Sequence, residues 1–194
     1  MTSNHLVLPT FAAPMELRTK RLSLRQWKDS DLAPWVAMNA DVDVRKYFSS
    51  VQTTEEAIRE ASRIRAGISQ RGWGAWAVEQ PGNHQFIGFV GLLVTGFEAS
   101  FTPCVEIGWR LSKAAWGQGF ATEAAAAALS FAFTHLHLEE VVAITTPSNT
   151  PSQNVMKKIG MNHDPAGDFN HPRIPSGHPM QRHVLYRSSA RAPI

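Results

Sequence analysis

The chain has 194 residues, of which 43% are hydrophobic and 18% charged, with a net charge of +3. That is enough sequence for one domain with a substantial core and excludes the disordered class. The weak, scattered positive charge excludes a nucleic-acid footprint while suiting an anionic ligand, and no apolar run reaches the roughly 20 residues of a membrane span.

A single cysteine, Cys104, excludes an intramolecular disulfide and any cysteine-based metal cluster, so a reducing, cytoplasmic setting is the expectation. The apolar stretches 6–8 and 11–13 are broken by Pro9 and Pro14 with no basic region before them, which does not read as a signal peptide.

In chain order, residues 1–14 read as a loose arm. Alternation around Leu17, Leu22 and Leu24 predicts a strand over 16–27. Asp29 or Ser30 is placed to cap a short helix through Asn39, and 41–48 reads as a second short helix or a turn. Thr53 with Glu56 is a capping box that opens a helix to about Gln70, with Ile58, Ala61, Ile64 and Ile68 as its buried stripe. Strands follow at 73–79 and 86–94, joined by a Pro81-Gly82-Asn83 turn. The unbroken apolar run of the second predicts a central position. A third strand covers 105–111. After a glycine turn comes an alanine-rich helix to about His135, apolar nearly all round and so expected against the sheet. A strand at 141–145 leads to a helix with Asn149 or Thr150 as cap, Pro151 at its start and Gly160 just past its end. The stretch 162–179 is loop-rich, and 183–186 reads as a last strand. The order predicts one α/β (α+β) domain with a mixed sheet.

The richest stretch is Trp116-Gly117-Gln118-Gly119-Phe120-Ala121-Thr122-Glu123. Two glycines let the backbone approach a ligand closely. The helix that follows presents N–H groups with no internal partner and the positive end of its dipole. Phosphate or pyrophosphate is the natural guest. The dinucleotide fingerprint fails because Thr122 stands where its third glycine belongs, and no Gly-Lys-Ser/Thr follows for a Walker loop. Read without a ligand, the stretch is an ordinary glycine turn before a buried helix.

Trp116 to Ala121 resembles the acetyl-CoA pyrophosphate loop of the GNAT N-acetyltransferases, Q/R-x-x-G-x-G/A, with Trp116 in the first place. The form W-G-Q-G-x-A-T-E-A and the opening phrase Leu17-Arg18-Thr19-Lys20-Arg21-Leu22-Ser23-Leu24-Arg25 are similar to the RimJ/RimL-type branch, which acetylates protein N-termini and other amines. The resemblance spans residues 16–187, with 1–15 as an arm and 188–194 as a tail. It implies a mostly antiparallel central sheet flanked by helices, and acetyl-CoA as co-substrate with no metal. Trp116, Gly117, Gln118, Gly119, Ala121 and Thr122 would meet the pyrophosphate. Trp109 and Leu111, on a strand that in the family splays from its neighbour, would offer main-chain contacts to the pantetheine arm; their side chains read equally as core. Asn149-Thr150-Pro151-Ser152-Gln153-Asn154-Val155 through Met161 resembles the family's N-x-x-S-x-x-V-x-x-K-I-G-F segment. It would put Asn149 on the cofactor and Ser152 near the sulfur, as cofactor contact and as acid for the leaving thiolate. Both also read as plain helix caps.

Glu106 is a lone carboxylate among apolar strand residues. Burial without a partner is costly and raises a carboxyl pKa. A carboxylate tuned toward neutrality suits deprotonation of an amine, directly or through a water, and the family resemblance points to the same residue. The alternative is a solvent-facing Glu106 paired with Arg110 or Lys113. Tyr47, Trp73 and Trp76 read as acceptor-pocket lining or core. His135 and His137 do not share a helix face. The histidines of the tail have no metal-ligand spacing; Phe169 to His171 and His178 are placed to shape an acceptor-side loop.

Together these readings predict an acetyl-CoA-dependent N-acetyltransferase that moves an acetyl group to a primary amine, a protein N-terminus or a small molecule, within one ternary complex. The expected chain is a monomer or homodimer with no nucleic acid and no membrane. A non-catalytic acyl-CoA-binding sensor or accessory protein is the second class.

Overall fold

A computed structural model describes residues 7–82 and 85–190. The strands are β1 (Leu17–Arg18), β2 (Ser23–Arg25), β3 (Ala75–Gln80), β4 (Gln85–Val94), β5 (Val105–Leu111), β6 (Glu140–Thr145), β7 (Asn162–His163), β8 (Phe169–Asn170) and β9 (Arg182–Ser189). The helices are α1 (Leu32–Ala40), α2 (Thr54–Arg71), α3 (Phe120–Thr134) and α4 (Thr150–Lys158). The sheet runs β1-β2-β3-β4-β5-β6-β9-β7, with β8 alongside β9. Every pairing is antiparallel except β5 with β6. This is the mixed, mostly antiparallel α/β sheet flanked by helices that the sequence predicts.

Two faces follow from strand alternation. Arg110 of β5 reaches Asn39 of α1 and Glu60 of α2, so α1 and α2 cover that face. Trp76 of β3 meets Phe131 of α3 edge-on at 5.4 Å, and the Tyr186 hydroxyl of β9 donates to Gln153 of α4, so α3 and α4 cover the other. From Phe120 to Phe133 no residue of α3 is exposed, as its apolar surround predicts. The β4 strand lies between β3 and β5, the central place its apolar run calls for.

Thr53 and Glu56 form the capping box of α2, and Asn149 caps α4 by accepting from the Ser152 N–H. Several expectations need correction. The stretch 16–27 is a hairpin of two short strands, Leu17 opposite Leu24, because the Thr19 hydroxyl accepts from the Leu22 N–H and turns the chain. The carboxylate of Asp31 accepts from the Lys28 N–H and pairs with buried Arg25, and α1 begins after it rather than at a side-chain cap on Asp29 or Ser30. Of the two readings of 41–48, a short helix or a turn, the structure has the turn. Ile58 is exposed, and Ala57, Ala61 and Ile68 are the buried residues of α2. The arm is not loose from residue 8 onward: Leu8, Phe11 and Met15 pack on the core. The Trp73 and Trp76 indoles donate to the Pro9 and Met15 carbonyls. The final strand extends past 187 to Ser189. Asn83, residues 1–6 and residues 191–194 of the expected turn, arm and tail lie outside the described residues.

Candidate active site

The glycine turn has the conformation its composition requires. Gly117 and Gly119 sit at φ of +73° and +79°, a region closed to most side-chain-bearing residues. Gly119 caps α3 with no side-chain hydrogen bond. The first N–H groups of α3, at Phe120, Ala121 and Thr122, therefore have no partner within the helix. These residues line a cavity of about 1340 Å³ together with Trp116, Gly117 and Gly119. The Gln118 side chain turns away and donates to the Ala114 carbonyl, leaving only its main chain at the turn. Trp116 is 46% exposed, and its indole N–H donates to the Leu111 carbonyl at 2.8 Å, which ties the turn to the end of β5.

The β5 and β6 strands share one paired position, Glu106 opposite Val142. Beyond it they part. The Ser112 N–H donates to the Ile87 carbonyl on the β4 side. Alternation then turns the main-chain groups of Trp109 and Leu111 to the other edge, where β6 has left. The Leu111 carbonyl is taken by the Trp116 indole, and the rest of this strand edge can accept an extended, amide-bearing guest.

Glu106 sits at the fork where the strands part. Its side chain shares a face with Leu93 and Arg110, is partly exposed, and lines the cavity. Among the described residues its carboxylate has no hydrogen-bond or ion-pair partner. Burial pushes its pKa up to about 7. The alternative pairings are taken: Arg110 pairs with Glu60, and Lys113 with Asp43.

Asn149 and Ser152 meet at the start of α4. The Asn149 amide donates to the Thr145 hydroxyl at 2.8 Å and the Ser152 hydroxyl at 3.1 Å, and its oxygen accepts from the Ser152 N–H at 3.2 Å. The cap therefore consumes both amide protons, and one lone pair of Oδ1 stays open. Ser152 keeps its own hydroxyl proton for another partner, and both residues line the cavity.

A third group of residues went unseen in the sequence. Arg21 donates through Nη1 to the Gln118 carbonyl at 3.0 Å and through Nε and its main-chain N–H to Glu123 at 2.7 and 2.9 Å. The Thr19 hydroxyl adds a 2.6 Å bond to the same carboxylate. The only sequence signal was a charged pair of opposite sign, Arg21 and Glu123, on two stretches separately identified as motifs. Buried Arg110, held by Asn39 at 2.6 Å and Glu60 at 3.0 Å, fixes β5 against α1 and α2. Trp73 and Trp76 are fully buried core, whereas Tyr47 lines the cavity with His171 and His183. His178 does not line it. Among the described residues there is no cluster of three or more metal-ligating side chains, and no helix is long and apolar enough to cross a membrane.

An uncharacterized N-acetyltransferase of Bacillus subtilis, YnaD, is 30% identical over 148 residues, covering 76% of this chain and 82% of its own length. Another B. subtilis protein, YkkB, is 30% identical over 157 residues, covering 78% of this chain and 87% of its own length. A crystal structure of a GNAT-family acetyltransferase from Bacillus anthracis superposes with a TM-score of 0.73 at 27% identity, over 91% of this chain and 99% of that one. The family model of the acetyltransferase (GNAT) domain matches residues 21–162, from the arginine that braces the glycine turn to the strand beyond α4. On that match this chain belongs to the GNAT acetyltransferases.

Proposed function

We propose that this protein transfers an acetyl group from acetyl-CoA to a primary amine, directly and within one ternary complex. The observation that carries the reading is Glu106: a desolvated carboxylate, without a partner among the described residues, that lines the same cavity as the glycine turn and the edge of β5.

The residues fit the cofactor. The N–H groups at Gly117 to Thr122 would hold its pyrophosphate, with Trp116 closing the turn. Trp109 and Leu111 would pair with its amide-bearing arm, and Asn149 would contact it through the open lone pair of Oδ1. Bound acetyl-CoA supplies an activated thioester. Glu106 accepts a proton from the incoming ammonium, directly or through a water, which a carboxyl with a pKa near 7 can do at neutral pH. Ser152 offers its hydroxyl proton to the departing sulfur and is reprotonated, directly or through a water, by the proton that the attacking nitrogen loses as the amide forms. Holding two reactants in one geometry contributes roughly 7–11 kcal/mol toward the barrier, so positioning carries most of the rate. The similarity to the RimJ/RimL-type branch in the hairpin and the glycine turn favours a peptide N-terminus over a small amine.

Calorimetric titration with acetyl-CoA, beside dephospho-CoA and NAD, tests the reading. Acetyl-CoA is expected to bind tightest, and amines to trigger release of free thiol. No binding of acetyl-CoA overturns the reading. Binding without thiol release from any amine supports the non-catalytic sensor instead.

A further inference from the structure

One wall of the cavity is built of rings from two connections. Phe97 lies between β4 and β5. His171 follows β8 and His183 is the second residue of β9, while Phe169 of β8 packs against these rings without lining the cavity itself. Phe97 stacks on Phe169 at 5.8 Å and lies 4.6 Å from His171. The two imidazoles are 5.1 Å apart. Arg173 fastens the connections together by donating to the Gly96 carbonyl and resting over the Phe97 ring.

The hydrogen bonds of these two rings fix where their protons are. The Arg173 main-chain N–H donates to His171 Nδ1 at 3.2 Å, so that nitrogen carries a lone pair and the proton of the neutral ring is on Nε2. His183 Nδ1 lies 3.2 Å from the Gln181 carbonyl, which only accepts, so His183 carries its proton there and leaves a lone pair on Nε2. Both rings are uncharged at neutral pH. Burial, then His183 and Arg173, push the His171 pKa down to about 4, and burial pushes that of His183 down. Neither Nε2 has a partner among the described residues, and neither is among the buried polar atoms that lack one. Each therefore keeps some exposed surface, and both residues line the cavity that holds Glu106. The wall offers one donor and one acceptor side by side.

We propose that His171 and His183 form an amide-reading subsite for the acceptor, His171 Nε2–H donating to an amide carbonyl and His183 Nε2 accepting an amide N–H. The substrate class is an amine that carries an amide a few bonds away. A residue of an extended peptide presents its N–H and C=O to the same side, and a primary carboxamide carries both on one carbon. The charges around the cavity agree with an acceptor that is neutral beyond its amine. Besides Glu106, the carboxylates that line it are Asp43 and Glu60, and each is paired with a cation. A polyamine's second ammonium would find no free carboxylate. The inference rests on the N-acetyltransferase reading above.

The test is side-chain nitrogen NMR of the CoA-loaded protein, titrated with alaninamide, alanyl-alaninamide and n-propylamine. The free rings are expected to show the two opposite tautomers. Either amide is expected to shift both Nε2 signals and to bind about ten-fold tighter than n-propylamine, the effect of a pair of neutral hydrogen bonds. Tighter binding of the dipeptide amide identifies a peptide source; equal binding of the two amides identifies a carboxamide. His183→Leu is expected to abolish the preference and His183→Gln, whose side-chain oxygen replaces the lost lone pair, to keep it, with acetyl-CoA affinity as the folding control. The same tautomer on both rings, or equal affinity for amides and n-propylamine, overturns the proposal. Because the probes are read by binding, failure of this subsite is separate from failure of acetyl transfer, which calorimetry with acetyl-CoA reports.

Discussion

Arg21 and Glu123 join the first hairpin to the glycine turn. The guanidinium Nε lies 2.7 Å from the Glu123 carboxylate while Nη1 holds the Gln118 carbonyl, and the plane rests over the Phe120 ring at 4.6 Å. One side chain thus grips the turn on both sides of Gly119. We expect Arg21→Ala to leave the fold intact and to weaken acetyl-CoA binding about five-fold, the worth of roughly one net hydrogen bond at a site open enough for the ion pair itself to add little. Calorimetry with acetyl-CoA checks this; unchanged affinity would show the turn holds its shape unaided.

Glu106 carries two linked expectations. As a base it must be ionised, so acetyl transfer should rise with pH through about 7 and level off above it. Glu106→Gln should remove that limb and lower turnover while acetyl-CoA still binds; an unchanged profile moves the base role to water.

The same group affects stability. Its folded pKa is raised from 4.5 to about 7 by burial. Below pH 4.5 it is protonated in both states and no penalty exists. As pH rises toward 7 the unfolded chain ionises first, and stability falls until the folded carboxyl ionises too. A gap of that size is at most about 3 kcal/mol, and the opening onto the cavity reduces it to roughly 1–2. Glu106→Gln should therefore raise Tm by about 2–8 °C at pH 8 and by little at pH 4, as measured by thermal scans of the ligand-free protein at the two pH values.

Gly119 has a positive φ and stands directly before the first turn of α3. Gly119→Glu brings a carboxylate and a strained backbone to the place proposed for pyrophosphate. Acetyl-CoA binding is expected to vanish from the calorimeter; normal affinity would sink the assignment of the turn.

Asn149 and Ser152 can be separated. Asn149→Ala removes the cap of α4 and the tether on the Ser152 hydroxyl, so it should cost about 1 kcal/mol of stability as well as turnover. Ser152→Ala leaves the cap in place, because the cap uses the Ser152 main-chain N–H, and should lower turnover only modestly. A complete loss in single-turnover thiol release would make the serine proton indispensable.

Local rules account for what the residues alone reveal. The capping box at Thr53, the Asn149 cap, the glycine turn and the unbroken apolar run of β4 each depend on residues within a few positions of one another, and each is found where the sequence put it. Oddity of residue type marked Glu106, because a charge inside an apolar strand is conspicuous whatever surrounds it. The stripe of α2 misled at Ile58, since periodicity gives a face but not how far the opposing surface extends. The hairpin at 17–25 was hidden by alternation that continues through its turn.

The rest emerges on folding, because those properties belong to pairs far apart in the chain. That Glu106 has no counter-ion among the described residues depends on Arg110 finding Glu60 and Lys113 finding Asp43, 50 and 70 positions away. The brace on the turn joins residues 102 positions apart. The fork between β5 and β6 is one paired position, which a strand's own sequence does not encode. The tautomers of His171 and His183 follow from which main-chain group each ring meets. A sequence states which groups a chain owns; folding decides which of them find partners and which are left free to act on a ligand.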